Sequence, residues 1–109
     1  MIVSGKNVST ALEYLAIDIH PFALAKKHVT DAENKCKEAS ARAFLSAGGS
    51  VEARKATAEI DADCLASKAE QGEAIMELER HRSRTKAAEM LIEVWRTENA
   101  NIRAAERVR

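Results

Sequence analysis

Gly48-Gly49 is the one obvious stop in a chain that otherwise reads as helix from Pro21 almost to its end. Pro21 is the single proline, so no other residue of its kind interrupts the rest of the chain. Glycine takes the left-handed backbone that ends helices, whereas proline suits a first helical turn. Long helices that double back at the glycines are therefore predicted. The expected fold class is all-α: a long antiparallel helical hairpin with a short helix before it and another just after the Gly-Gly turn. A hairpin this thin has no deep pocket for chemistry. Function is expected on its surfaces and in its assembly, and an enzyme is not expected.

Composition points the same way. Leu, Ile, Val and Phe supply 22 of the 109 residues and alanine another 21. Alanine favours helix but buries little surface. A slender shape adds a poor surface-to-volume ratio. A homo-oligomeric bundle, with the chain as its own first partner, is the expected outcome. Four aromatic residues are too few for a base-stacking platform. Basic and acidic residues balance at 17 each, but residues 80–109 hold 8 basic and 4 acidic side chains. The C-terminal surface is thus basic, or built for head-to-tail contact between subunits.

Residues 1–9 read as a flexible arm. Thr10-Ala11-Leu12-Glu13 fits a capping box opening a short helix over 10–19, with Leu12, Leu15 and Ile19 on one face. Pro21 disfavours helix in the residue before it and starts the next helix, 21–47. That helix carries a strict heptad seam of Phe22, Ala25, Val29, Ala32, Cys36, Ala39 and Ala43, mostly small, so a partner helix can approach closely. Gly48 is placed at the left-handed cap. Ser50 caps a short helix over 51–58, with Glu52 in its first turn. Asp61 and Asp63 start the last helix, 62–106, whose apolar positions include Leu65, Ala69, Gly72, Ile75, Leu78, Ala88, Leu91, Trp95 and Ile102. At ~1.5 Å per residue it spans roughly 65 Å against about 40 Å for its partner. Leu15 against Trp95 is one way to cover the excess, and whether 50–106 is one bent helix or two stays open.

Catalytic and cofactor signals are missing. His20, His28 and His81 have no ligand partners at metal-site spacing. No nucleophile elbow and no phosphate-binding glycine loop is visible, and Gly48-Gly49 is explained as a helix stop. No metal, cofactor or small-molecule substrate is expected. Cys36 should lie nearer Gly72 than Cys64. The offset of about eight residues is ~12 Å along a helix, too far for a disulfide. The N-terminus lacks a signal-peptide core, and no stretch approaches a membrane span. A cytoplasmic protein with no membrane partner is expected.

The densest basic run is Arg80-His81-Arg82-Ser83-Arg84-Thr85-Lys86. On a helix it makes a collar rather than a stripe: a solvated segment paired with Glu77, Glu79 and Glu89, or a contact for phosphates. Arg96, Arg103 and Arg107 share a face, with Asn99 nearby, that could follow a polyanion or be the polar side of an amphipathic helix. Trp95 reads first as core, with a subunit or partner contact as the competitor. The expected oligomer or partner interface is Phe22, Val29, Phe44, Leu91, Trp95 and Ile102.

Two segments resemble small helical proteins of tailed bacteriophages: Ser40-Ala41-Arg42-Ala43-Phe44-Leu45 with Gly49-Ser50-Val51-Glu52-Ala53-Arg54, and Ala88-Glu89-Met90-Leu91-Ile92-Glu93-Val94-Trp95-Arg96-Thr97 with Ala100-Asn101 and Arg103. The layout is similar to that of the phage recombination mediator family. Its members are oligomeric helical hairpins that bind single-stranded DNA and help load a recombinase. Their Lys-Ala-Arg element before the turn corresponds to Ser40-Ala41-Arg42, so the resemblance implies a DNA contact at Arg42. Lys37 lies one turn earlier and Arg54 just past the turn. The resulting expectation is a non-enzymatic phage accessory protein in DNA recombination or replication, acting in the infected host's cytoplasm on single-stranded DNA, a recombinase, or both. Its expected DNA-binding residues are Arg42, Arg54, Arg80, Arg82, Arg84, Lys86, Arg96 and Arg103. The rival expectation is a phage-encoded interaction module that inhibits a host nuclease or defence protein; a structural virion or assembly component is the third.

Overall fold

The computed structural model describes residues 3–108, and the fold is all-α. Four helices follow in order: α1 (Gly5–Leu15), α2 (Pro21–Ser46), α3 (Val51–Ile60) and α4 (Ala62–Val108). The described residues contain no strand. The chain divides into two compact units, one spanning Ala23–Glu79 and the other combining the segment up to Phe22 with the segment from Arg80 onward.

The Ala23–Glu79 unit is the hairpin. Every seam position of α2 in it, from Ala25 through Val29, Ala32, Cys36 and Ala39 to Ala43, is buried or half-buried. Its register against α4 is set by Lys35 with Glu70 (3.2 Å) and by the Cys36 thiol donating to the Gln71 carbonyl oxygen (3.3 Å). Cys36 therefore meets the residue beside Gly72, and both thiols are outside any disulfide. At the turn, Gly49 rather than Gly48 takes the left-handed conformation, with φ 97°. Ser50 caps α3 by accepting from the Ala53 amide (3.2 Å). One extended residue, Asp61, separates α3 from α4. Its carboxylate accepts from the Asp63 and Cys64 amides (3.0 and 3.1 Å) and so caps α4. Residues 50–106 are thus two helices.

The inward face of α4 differs from the expected one. In this unit Cys64, Ser67, Gln71, Ala74 and Leu78 are the buried and half-buried heptad positions, whereas Leu65, Ala69, Gly72 and Ile75 are exposed. The alanine seam of α2 leaves room for small and polar side chains opposite it. Gln71 is tolerated there because the Cys36 thiol satisfies it. The buried residues are Ala25, Ala32, Ala39, Ala58 and Cys64, each offering little area.

In the other unit α1 packs on α4. The helix starts at Gly5, well before Thr10, because Ser4 accepts from the Asn7 amide (3.2 Å). Thr10 caps nothing; its hydroxyl donates back to the Lys6 carbonyl (3.0 Å). Much of the expected arm is therefore ordered: Val3 and Val8 are buried, and the Val3 amide donates to Glu98 (2.8 Å). Residues 1 and 2 of that arm lie outside the described residues. The core is Ala11, Tyr14 and Ala88, with Leu15, Leu91 and Ile92 around it. Leu12 and Ile19, expected on the packed face, are exposed, and α1 ends at Leu15 rather than residue 19. Trp95 is exposed and stands outside this cluster, so it is not core. Leu15 packs instead against the cluster of Ala11, Tyr14 and Ala88.

Candidate nucleic-acid interface

The C-terminal part of α4 is a cation-bearing helix with one face covered. His81, Thr85, Ala88 and Ile92 form its inward heptad. Tyr14 of α1 anchors there. Its hydroxyl lies 3.4 Å from the Thr85 hydroxyl, the Arg84 guanidinium lies 4.2 Å over its ring, and the His20 ring meets it edge-on at 4.7 Å. His20 in turn accepts from the Phe22 amide through Nδ1 (3.0 Å), which fixes the start of α2 behind Pro21. Arg84 is thereby committed to holding α1, a role its place in the basic run did not reveal. The signal for it was Tyr14 at three-residue steps from Val8 and Ala11.

The remaining expected cations divide by what they touch. Arg96 pairs with Glu93 (3.1 Å) on an exposed surface, where such a pair is worth little and exchanges readily. Arg82 is half-buried, and both it and Arg80 make further interactions within the chain. Lys86, Arg103 and Arg107 are exposed and have no carboxylate partner among the described residues. At 100° per residue, Arg96, Arg103 and Arg107 fall within about 40° of one another on α4. From Ala100 to Val108 every residue is exposed, so this helix end is accessible from all sides.

The turn cations are less available. Arg42 pairs with Glu38 (3.4 Å) and lines a groove with Thr57, Asp61 and Asp63, whose carboxylates repel phosphate. Arg54 is half-buried, its guanidinium 5.8 Å over the Phe44 ring and its Nε buried without a hydrogen-bond partner. Of the expected interface residues, Phe22, Val29, Phe44 and Leu91 are half-buried by the chain itself, and Trp95 and Ile102 are exposed.

The hairpin unit also holds a cavity of about 200 Å³ lined by Cys36, Ser40, Phe44, Lys55, Glu59 and Cys64 among others. Burial, and then the negative charge of Asp61, push the Cys64 thiol above the ordinary value of 9.0. It is held as an inert thiol, the opposite of what a nucleophile needs. Among the described residues no group of three or more His, Cys, Asp or Glu side chains could hold a metal ion. No helix of the described residues is long and apolar enough to cross a membrane. Comparison with family models, curated proteins and solved structures found no match.

Proposed function

We propose that the protein is a non-enzymatic accessory protein of DNA recombination or replication that holds single-stranded DNA on the C-terminal part of α4, several copies acting together. The observation that carries this reading is the exposed helix end, where Arg103 and Arg107 point at solvent without a carboxylate partner among the described residues and share a face with Arg96. Together with Lys86 these residues offer each copy three or four phosphate contacts. Contacts of that number give a salt slope of roughly −2 to −3 for a single strand. Affinity per copy is low, and the assembly multiplies it. The phage setting and a recombinase partner follow from the resemblance in Ser40-Ala41-Arg42 and in the segment around Trp95-Arg96.

Fluorescence anisotropy of a labelled single-stranded oligonucleotide tests the reading. Binding at low salt that weakens roughly 20- to 50-fold between 50 and 200 mM salt is expected, with loss of binding in Arg103→Glu/Arg107→Glu. Absence of binding at low salt overturns it.

A second reading has its own support. Arg42, Arg84 and Arg96 are engaged within the chain, while Leu65, Met76, Met90 and Ile102 are exposed. A protein-binding module that occupies a host nuclease or defence protein uses such apolar surface directly. A stoichiometric host protein, retained after nuclease treatment and displaced by surface substitutions on α4, is the result that favours it.

A further inference from the structure

The helix α4 carries two apolar stripes, and only one is used within the chain. In the hairpin unit Leu65, Ala69, Gly72 and Met76 recur at four- and three-residue steps, and all four are exposed. They lie roughly 150° around the helix from the covered seam. In the other unit Ala87, Met90 and Val94 continue the same spacing, again exposed.

Two further observations indicate what covers these stripes. Gly72 sits inside a helix, where glycine costs ~1 kcal/mol relative to alanine, yet a Cβ there would meet nothing within 4 Å. Nothing in the chain's own packing asks for glycine at that position; the close approach of another helix does. The two stripes also differ in charge. Glu73 and Glu79, with Lys68, lie beside the first stripe, and Arg80 and Lys86, with Glu98, lie beside the second.

We infer that α4 is a self-association surface: the acidic-flanked stripe of one copy packs antiparallel against the basic-flanked stripe of a second copy. Gly72 lets the backbones approach, Met76 and Met90 fill the irregular gap between the helices, and the opposite charges set the direction. Arg96, Arg103 and Arg107 lie on another side of α4 and stay open, so the inference supplies the several copies on which the proposed DNA binding rests.

Charge exchange between full-length chains tests it. One variant, Glu73→Lys/Glu79→Lys, makes the acidic stripe basic; a second, Arg80→Glu/Lys86→Glu, makes the basic stripe acidic. Sedimentation velocity at tens of micromolar is expected to give twice the chain mass for the wild type, the single-chain mass for each variant alone, and a mixed pair of twice that mass when the variants are combined. Gly72→Leu, which keeps the helix and blocks close approach, is expected to give single chains that are fully helical by circular dichroism. A wild-type protein that stays single, variants that self-associate as the wild type does, or a mixture that stays single overturns the inference. Oligonucleotide anisotropy run on the same samples separates the two readings. A wild type that stays single yet binds DNA overturns only the self-association, and a paired wild type that ignores DNA overturns only the proposed function.

Discussion

Replacing Tyr14 tests how the N-terminal helix is held. Tyr14 is buried between α1 and α4, under Arg84 at 4.2 Å and beside His20 at 4.7 Å. Truncating a buried aromatic to alanine costs ~3–5 kcal/mol, the loss of its contacts included. Few other large side chains share that core: among the described residues, Leu15, Leu91 and Ile92 surround it. A domain with total stability of ~5–15 kcal/mol has little margin for such a loss. Tyr14→Ala is therefore expected to release α1 while the Ala23–Glu79 unit stays helical. Tyr14→Phe separates ring from hydroxyl. Thr85 already gives its own hydrogen to the His81 carbonyl at 2.9 Å, so Tyr14 must be the donor in the 3.4 Å contact with Thr85. A hydrogen bond that long is worth less than ~1 kcal/mol. Urea unfolding followed by Trp95 fluorescence and far-ultraviolet circular dichroism gives the stabilities, and amide hydrogen exchange reads α1 directly. Tyr14→Ala within ~1 kcal/mol of the wild type would refute the reasoning. So would Tyr14→Phe losing as much as Tyr14→Ala, because the ring would then contribute nothing.

Two further changes probe the hairpin end. Gly49→Ala places a Cβ on a backbone with φ 97° and 3.3 Å from the Ala53 Cβ, so a loss of ~1–2 kcal/mol is expected in the same urea assay; an unchanged midpoint would contradict it. Burial and Asp61 hold Cys64 protonated in the fold. The stability this adds is complete below the unfolded thiol's value and declines as the pH rises through and above it. Stability is therefore expected to fall above pH 9.0, and a thiol-alkylating reagent should label half-buried Cys36 before Cys64. Asp61→Asn, which keeps a capping oxygen and removes the charge, should hasten labelling of Cys64; equal rates at the two thiols in the wild type would count against the burial argument.

The parts legible in the sequence are those where one signal acts alone. The α2 seam was readable because its small residues keep a strict heptad against a polar background, and Cys36 landed beside Gly72 because the turn fixes the offset. The inner face of α4 was readable only in part: Leu78, Ala88 and Leu91 are covered, whereas Leu65, Ala69, Gly72 and Ile75 are not. This helix has two stripes, and the more apolar one, with Leu65, Gly72 and Met76, faces out, while Ser67, Gln71 and Thr85 face in. Hydrophobicity alone selects the outer one. The start of α1 was hidden by Gly5-Lys6-Asn7, three residues without apolar character. The usable signs there were Ser4 as cap and the spacing of Val8, Ala11 and Tyr14. Within the candidate interface the sequence marked the cations but not their partners. Arg84 and Arg54 sit on aromatic rings contributed by other helices, contacts that no local spacing discloses, whereas Arg103 and Arg107 stand beyond the last residue that α1 covers.

Light scattering of the full chain, with and without a single-stranded oligonucleotide, bears most directly on the idea that the outer surfaces of α4 do the protein's work. A paired protein that takes the oligonucleotide up into a heavier complex at low salt, and releases it as salt rises, is the expected result. A solitary chain whose mass is unmoved by the oligonucleotide would contradict it.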